Sequence, residues 1–231
     1  MKIALCLSGQ ARSFEAAYKF YEMNLFDYYQ VDVFLHSWNS KHNKKIVDLY
    51  KPIAHKFEYP KFTAEDDKTY GKYFDPIGHK LWPPRNTLSG FYSIYESNML
   101  KCAYERDFDF RYDWAIRTRF DYALNVVIPF KRLDNKKLYA PQREKGLNAA
   151  CDQFAFSSSD MMDKYSSTYI HIDEYYFSEK RWMLGEHLLQ SNLRKHKIQP
   201  EYWDMNLPFK GLPSSQAGLI RDDMHEWINR S

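Results

Sequence analysis

Long apolar runs are missing from this chain. Nowhere do about 18 apolar residues follow one another, the length a helix needs to cross a bilayer. The opening Ile3-Ala4-Leu5-Cys6-Leu7 is too short for a signal peptide and stops at Ser8-Gly9. The expectation is a cytoplasmic protein with no transmembrane segment. Cysteine is scarce as well: Cys6, Cys102 and Cys151 are odd in number and far apart. That pattern suggests neither a disulfide framework nor a zinc site and fits a reducing compartment. Charge of either sign is not in excess, with 33 basic against 30 acidic residues and a net charge of +3. There is no basic stripe or tail of the kind that grips a duplex, so nucleic acid is not an expected partner. Also absent are a Walker A loop, an H-E-x-x-H helix, a G-x-S-x-G elbow and metal-ligand spacing among the histidines. No linker, repeat or low-complexity tract divides the chain, and residues 1–231 are expected to form a single domain.

What is present is a chain able to bury a full core. Hydrophobic residues make up 44% and aromatics 18%, with 19 Tyr and 16 Phe, enough for a globular core without disulfides. Tyrosines in such number suit sugar or base binding, and equally suit a genome that favours Tyr, Phe, Lys and Asn. Residues 2–8 read as a buried parallel strand, followed after Ser13, a plausible N-cap, by a helix carrying Phe14, Ala17, Tyr18, Tyr21 and Leu25. Strands are expected at Val31–Trp38 and at 54–59, with a helix over 42–50 between them. Residues 60–86 lack periodicity and read as a long loop, which in a compact domain is often functional. Leu88, Phe91, Tyr92, Tyr95, Met99 and Cys102 mark a long amphipathic helix to about Arg106. Tyr112–Phe120 reads as a central strand, followed by short strands at Leu138–Ala140 and Gln153–Phe156. Helices are expected from Asp160 and over 183–195, and short strands or loops from Ile198 onward, with Pro200, Pro208 and Pro213. Strand and helix alternate first and mixed structure follows, which implies a three-layer α/β fold with a mostly parallel sheet and an elaborated C-terminal half.

Four places could carry chemistry. In Ser8-Gly9-Gln10-Ala11-Arg12, glycine lets the backbone approach a ligand, the helix start offers N–H groups to an anion, and Arg12 could add a bidentate contact. A tight turn with a solvated arginine reads equally well. In Trp114–Asp121, alternation puts Arg117, Arg119 and Asp121 on one face. Two cations and a carboxylate make sense there beside a diphosphate, with the aspartate on a divalent cation, or else as a structural ion-pair cluster. Asp152, before an apolar strand, is either a turn residue or a carboxylate presented to a cleft as ligand or base. Glu186, in the first turn of the last long helix, is favoured there by the helix dipole and is a weaker catalytic candidate. His36, at a strand end, reads as a structural histidine.

Taken in order, IALCLSGQARSFE, DVFLHSW, YDWAIRTRFDYAL and DQFAFSSSDMMDKY resemble small glycosyltransferase-like proteins of bacterial surface-polysaccharide loci and large DNA viruses. The resemblance spans about residues 1–195 and lies in the succession of motifs rather than in one of them. It implies a GT-A fold and a nucleoside-diphosphate sugar as donor. In such enzymes a strand-end Asp-x-Asp binds the diphosphate through manganese or magnesium. Here Arg119-Phe120-Asp121 stands at that place and only the last aspartate matches. The resemblance further implies Ser8, Gly9 and Arg12 against the nucleotide, the 88–106 helix beside the donor sugar with Tyr92 or Glu96 near it, and Asp152 toward sugar or acceptor. The expected activity is sugar transfer to a glycan or other hydroxyl acceptor, with Mn2+ or Mg2+ at Asp121, phosphate on Arg117 or Arg119, and Asp152, then Glu186, as base. Two alternatives remain: a sugar nucleotidyltransferase, and a non-catalytic carbohydrate-binding module derived from a glycosyltransferase.

Overall fold

The structure, a computed structural model, describes residues 1–72, 82–141 and 150–202. Its centre is a seven-stranded sheet of order β3-β2-β1-β4-β6-β5-β7. The strands are β1 (Ile3–Gly9), β2 (Val31–Trp38), β3 (Ala54–Glu58), β4 (Trp114–Arg119), β5 (Leu138–Ala140), β6 (Ala155–Ser157) and β7 (Pro200–Tyr202). β3, β2, β1 and β4 run parallel, β6 enters antiparallel between β4 and β5, and β7 lies parallel to β5. This is the mixed, mostly parallel sheet expected of an α/β protein. Of the expected tail, residues beyond 202, including Pro208 and Pro213, lie outside the described residues.

Both faces of the sheet are covered, and the strands show why. Ile3, Leu5 and Leu7 of β1, with Val33 and Leu35 of β2 and Trp114 and Ile116 of β4, face one layer. That layer is built from α1 (Phe14–Tyr21), which continues through a wider turn to Phe26, and α2 (Asn43–Tyr50). It presents Phe14, Ala17, Tyr21, Leu25, Ile46 and Tyr50. The alternate residues Ala4, Cys6, Phe34 and Ala115 face the opposite layer. There lie α4 (Pro84–Asp107), α5 (Ser159–Ser166) and α6 (Gly185–Lys195). Strands buried on both faces carry near-continuous apolar runs, which is why β1 and β2 are legible at once.

Three expectations need correction. Residues 60–86 are not one loop: α3 (Ala64–Thr69) forms within them, held by a capping box in which Thr63 accepts from Glu65 N–H and Asp66 reaches back to Thr63. None of its residues is buried, so no apolar period announces it. α4 begins at Pro84, whose fixed φ and missing N–H suit the first turn. Residues 73–81 lie outside the described residues. Ser13 precedes α1 but does not cap it. Its φ of 47° is left-handed, and its hydroxyl is enclosed without a hydrogen-bond partner.

Candidate functional site

The sheet order reverses at β1. From β1 the chain steps outward through β2 to β3, over α1 and α2, then returns across the other face by α4 to β4 on the opposite flank of β1. Connections leaving adjacent strands toward opposite faces open a crevice at their C-terminal ends, where open α/β sheets hold ligands. Ser8 of β1 pairs with Arg119 of β4 at that edge. The two loops expected to carry chemistry therefore lie side by side.

On the β1 side, Gly9 has φ 101°, a conformation that side-chain-bearing residues rarely adopt. Its N–H donates to Ser93 Oγ at 2.6 Å, which pins the loop to α4. With Ser13 also left-handed, strain is concentrated in the turn that faces the crevice. Ser8 contributes less than expected. Its side chain is buried and its hydroxyl donates to the Thr118 carbonyl at 3.3 Å, so it joins β1 to β4 rather than meeting a ligand.

On the β4 side the strand ends at Arg119, and the chain turns through Phe120 into Asp121. Arg119 folds back on Asp121 as a fork, Nε to Oδ1 and Nη2 to Oδ2, each at 2.7 Å. Arg12 Nη2 stands 3.6 Å from the same Oδ2 and ties the β1 loop to this turn. The Asp121 side chain is only 7% exposed and Arg12 is 56% exposed. Burial disfavours the charge on Arg119, but the fork with Asp121, with Asp152 and Cys151 nearby, outweighs it and raises the guanidinium's pKa. Alternation alone would have set Asp121 beside Arg119 as an independent ligand. The turn after the strand joins them into a pair instead.

Arg117 differs from its neighbour. It is 5% exposed, and its Nε and Nη1 are enclosed with no hydrogen-bond partner. It points to the α4–α5–α6 side, between Cys6 of β1 and Ala155 of β6 in register. The Tyr165 hydroxyl of α5 is likewise enclosed and unpartnered. Burial pushes the Tyr165 phenol up; Arg117 pulls against that rise, while Asp152, Cys151 and Glu186 add to it. The Cys151 thiol, driven to about 12 first by burial, feels Asp152, Glu186 and Arg117 as well. Asp152 and Glu186 thus share one neighbourhood with Arg117, as two motifs distant in sequence were expected to do. Gly185 opens α6 directly against Asp152, whose carboxylate fills the space a Cβ would take. Asp152 is partly exposed and Glu186 is buried.

A divalent cation at Asp121 does not suit this donor set. Both carboxylate oxygens already hold guanidinium hydrogens, and a metal there would sit among two arginines. Among the described residues, the group of three potential ligands is Cys102, Glu105 and Asp163, near the start of β4. Its carboxylates are already matched: Lys101 reaches Glu105 at 2.9 Å and Asp163 at 3.0 Å, and Arg111 reaches them at 2.6 and 2.5 Å. A surface cleft of about 460 Å³ beside Cys102, Glu105 and Arg111 belongs to this second cluster.

His36 is a structural histidine. Fully buried, it joins Ser93 Oγ through Nδ1 at 2.8 Å and Glu58 through Nε2 at 2.9 Å. Tyr92 and Glu96, expected near a donor sugar, are bound elsewhere: Tyr92 donates to Glu58 and Glu96 accepts from Lys56. Sequence reasoning missed the roles of Ser93 and Tyr165. Ser93 lies in no motif and Tyr165 only closes DQFAFSSSDMMDKY, with no role of its own there, and only packing brings them to Gly9 and Arg117.

Compared with known families, residues 1–212 match the model described as Domain of unknown function (DUF7796). No curated protein matches the chain. Among the described residues, no helix is long and apolar enough to cross a membrane.

Proposed function

We propose that this chain, which belongs to the DUF7796 family, is a glycosyltransferase of the GT-A type. It takes a sugar from a nucleoside diphosphate and delivers it to an acceptor hydroxyl in glycan or polysaccharide synthesis. The observation that carries the reading is the buried, unpartnered Arg117 guanidinium at the reversal of the sheet, flanked by the Arg119–Asp121 fork and by Asp152 and Glu186. Arginines and carboxylates gathered at the C-terminal ends of β1 and β4 suit a substrate that is anionic at one end and rich in hydroxyls at the other.

In this reading the strained Gly9 turn and Arg12 lie against the nucleotide diphosphate, and Arg119, aimed by Asp121, faces it from β4. Asp152 takes the proton of the acceptor hydroxyl as its oxygen attacks the anomeric carbon. The bond from that carbon to the diphosphate oxygen breaks, and the electron pair leaves with the phosphate, stabilised by the guanidinium groups. Glu186, enclosed at the start of α6, orients sugar hydroxyls and is the second choice for the base.

The test has two stages. Nucleoside diphosphates should raise the melting temperature by mass action, and much less so in Asp121→Ala, where Arg119 loses its anchor. Nucleotide sugars should then release nucleoside diphosphate, in transfer or slow hydrolysis, with Asp152→Asn about a hundredfold or more slower. The Arg119–Asp121 fork, closed as a structural pair, favours one other reading, a carbohydrate-binding module without turnover. Binding with no release from any nucleotide sugar would establish that alternative. Pyrophosphate release from a sugar phosphate and a nucleoside triphosphate would point instead to a nucleotidyltransferase.

A further inference from the structure

We infer that the site holds its diphosphate on arginine instead of on a metal ion, and that Arg117, with Tyr165 beside it, is the phosphate-binding floor. The inference rests on the reading above and deepens it.

The first argument is how the other buried cations are matched. Lys101, fully enclosed, reaches Glu105, Asp163 and Ser159. Arg119 has its fork with Asp121. Arg117 alone of these three has no acceptor, although it is as deeply enclosed as the core around it. A charge buried without a partner is strongly destabilising, so its persistence calls for an anion that the protein chain does not supply. The Tyr165 hydroxyl adds a second enclosed donor from α5, the opposite wall. A phosphate has acceptor oxygens enough for both, and a guanidinium fork matches its geometry.

The second argument is the fork at Asp121. Arg119 and Asp121 neutralise each other, with both carboxylate oxygens taken. A metal would have to displace a guanidinium from Asp121 to bind there, at a position where no second carboxylate follows β4 in sequence. Magnesium and manganese prefer sites that carboxylate oxygens have not already yielded to arginine.

Arg117→Met separates a ligand role from a structural one, because the two predict opposite signs. If Arg117 is an unpartnered buried charge awaiting a ligand, an apolar side chain of similar length should raise the melting temperature without ligand while it weakens binding. Calorimetric titration with UDP, GDP, CDP, ADP and inorganic pyrophosphate, in EDTA and in Mn2+, reads the rest. At least one of these probes should bind wild type with equal affinity in both buffers. Arg117→Met should weaken it about ten- to hundredfold, with Arg117→Lys in between. Binding that requires Mn2+ would overturn the inference and leave the proposed function standing. Arg117→Met that binds like wild type, or that melts lower without ligand, would also overturn it. No binding of any probe in either buffer would remove the inference together with the reading beneath it.

Discussion

At the scale of single residues, two side chains decide what this site can do. Asp121 was legible in the sequence as the acidic end of a strand, and an ion pair with arginine as one of its two readings, but which arginine would hold it was not. Whether a residue two positions back projects alongside it or bends onto it depends on where the strand stops, and here β4 stops at Arg119. Asp152 was legible only as a carboxylate beside an apolar run; its nearness to Gly185 is a tertiary fact. That nearness gives a sharp substitution. Gly185 has no positive φ that would strain a side chain, and alanine is favoured over glycine in a helix by up to about 1 kcal/mol. The methyl group, however, would occupy the place of the Asp152 carboxylate. Gly185→Ala should therefore leave the melting temperature unchanged or slightly raised. Donor hydrolysis should fall about a hundredfold, as expected when a base is displaced, while affinity for the nucleoside diphosphate stays near wild type. Steady-state kinetics and calorimetry on the same preparation check this. An unaltered hydrolysis rate would show that the Asp152 position is not critical.

At the scale of elements, α4 shows both the reach and the limit of a hydrophobic pattern. Its existence was plain from Leu88, Phe91 and Tyr92. The expected stripe through Tyr95, Met99 and Cys102, however, drifts off the buried face, and Met99 is exposed. The buried face runs instead through Ile94, Asn98, Lys101 and Glu105. Polar residues inside a helix face are invisible to an apolar count, because their partners come from elsewhere in the chain: Asp163 and Ser159 from α5, and Arg111 from the loop before β4. Glu105 also accepts the Tyr112 N–H at 2.8 Å and so anchors the start of β4. Lys101 is the centre of this group. Lys101→Met leaves Glu105 and Asp163 with Arg111 as the one cation they share, and breaking a buried pair in this way costs about 3 kcal/mol or more. In a domain of this size that lowers the melting temperature by roughly 6–12 °C. Thermal melting followed by circular dichroism reads it directly, and a shift under about 2 °C would mean the network adds little. Nucleotide binding at the far end of β4 should be unaffected in the folded variant.

At the scale of the whole molecule, the two ends of α4 hold separate charge networks, and together they set how the protein meets acid. At one end, burial alone would raise the Glu58 carboxyl, but hydrogen bonds from Tyr92, His36 and Lys56 win and bring it from 4.5 down to about 2. At the other end burial again opposes ionisation, and Lys101, Arg111, Asn98 and Cys102 bring Asp163 from 3.8 down to about 2. A carboxylate whose folded pKa lies below its unfolded value stabilises the fold in full above the unfolded value. That contribution is lost as pH falls through the folded one. For these two groups the window runs from about pH 4.5 to about pH 2. His36 adds an earlier step: burial, ahead of the opposing pull of Glu58, lowers its pKa below 6.5. The unfolded chain therefore takes up that proton first, and stability begins to decline below about pH 6.5. The order of the strands in the first half of the chain was legible, because β1 and β2 are buried on both faces and carry near-continuous apolar runs. The antiparallel entry of β6 and the pairing of α4 with α5 were not, since three-residue strands and buried salt bridges leave no period in the sequence. Denaturant unfolding from pH 8 to pH 2 should accordingly show a shallow loss below about 6.5 and a steep one below about 4.5. Asp163→Asn, less stable at neutral pH, should have a shallower acid limb than wild type, because one of the two carboxylates that make it steep no longer titrates while Glu58 still does. A variant whose acid limb ran parallel to that of wild type would show that the Lys101–Arg111 network does not hold Asp163 ionised.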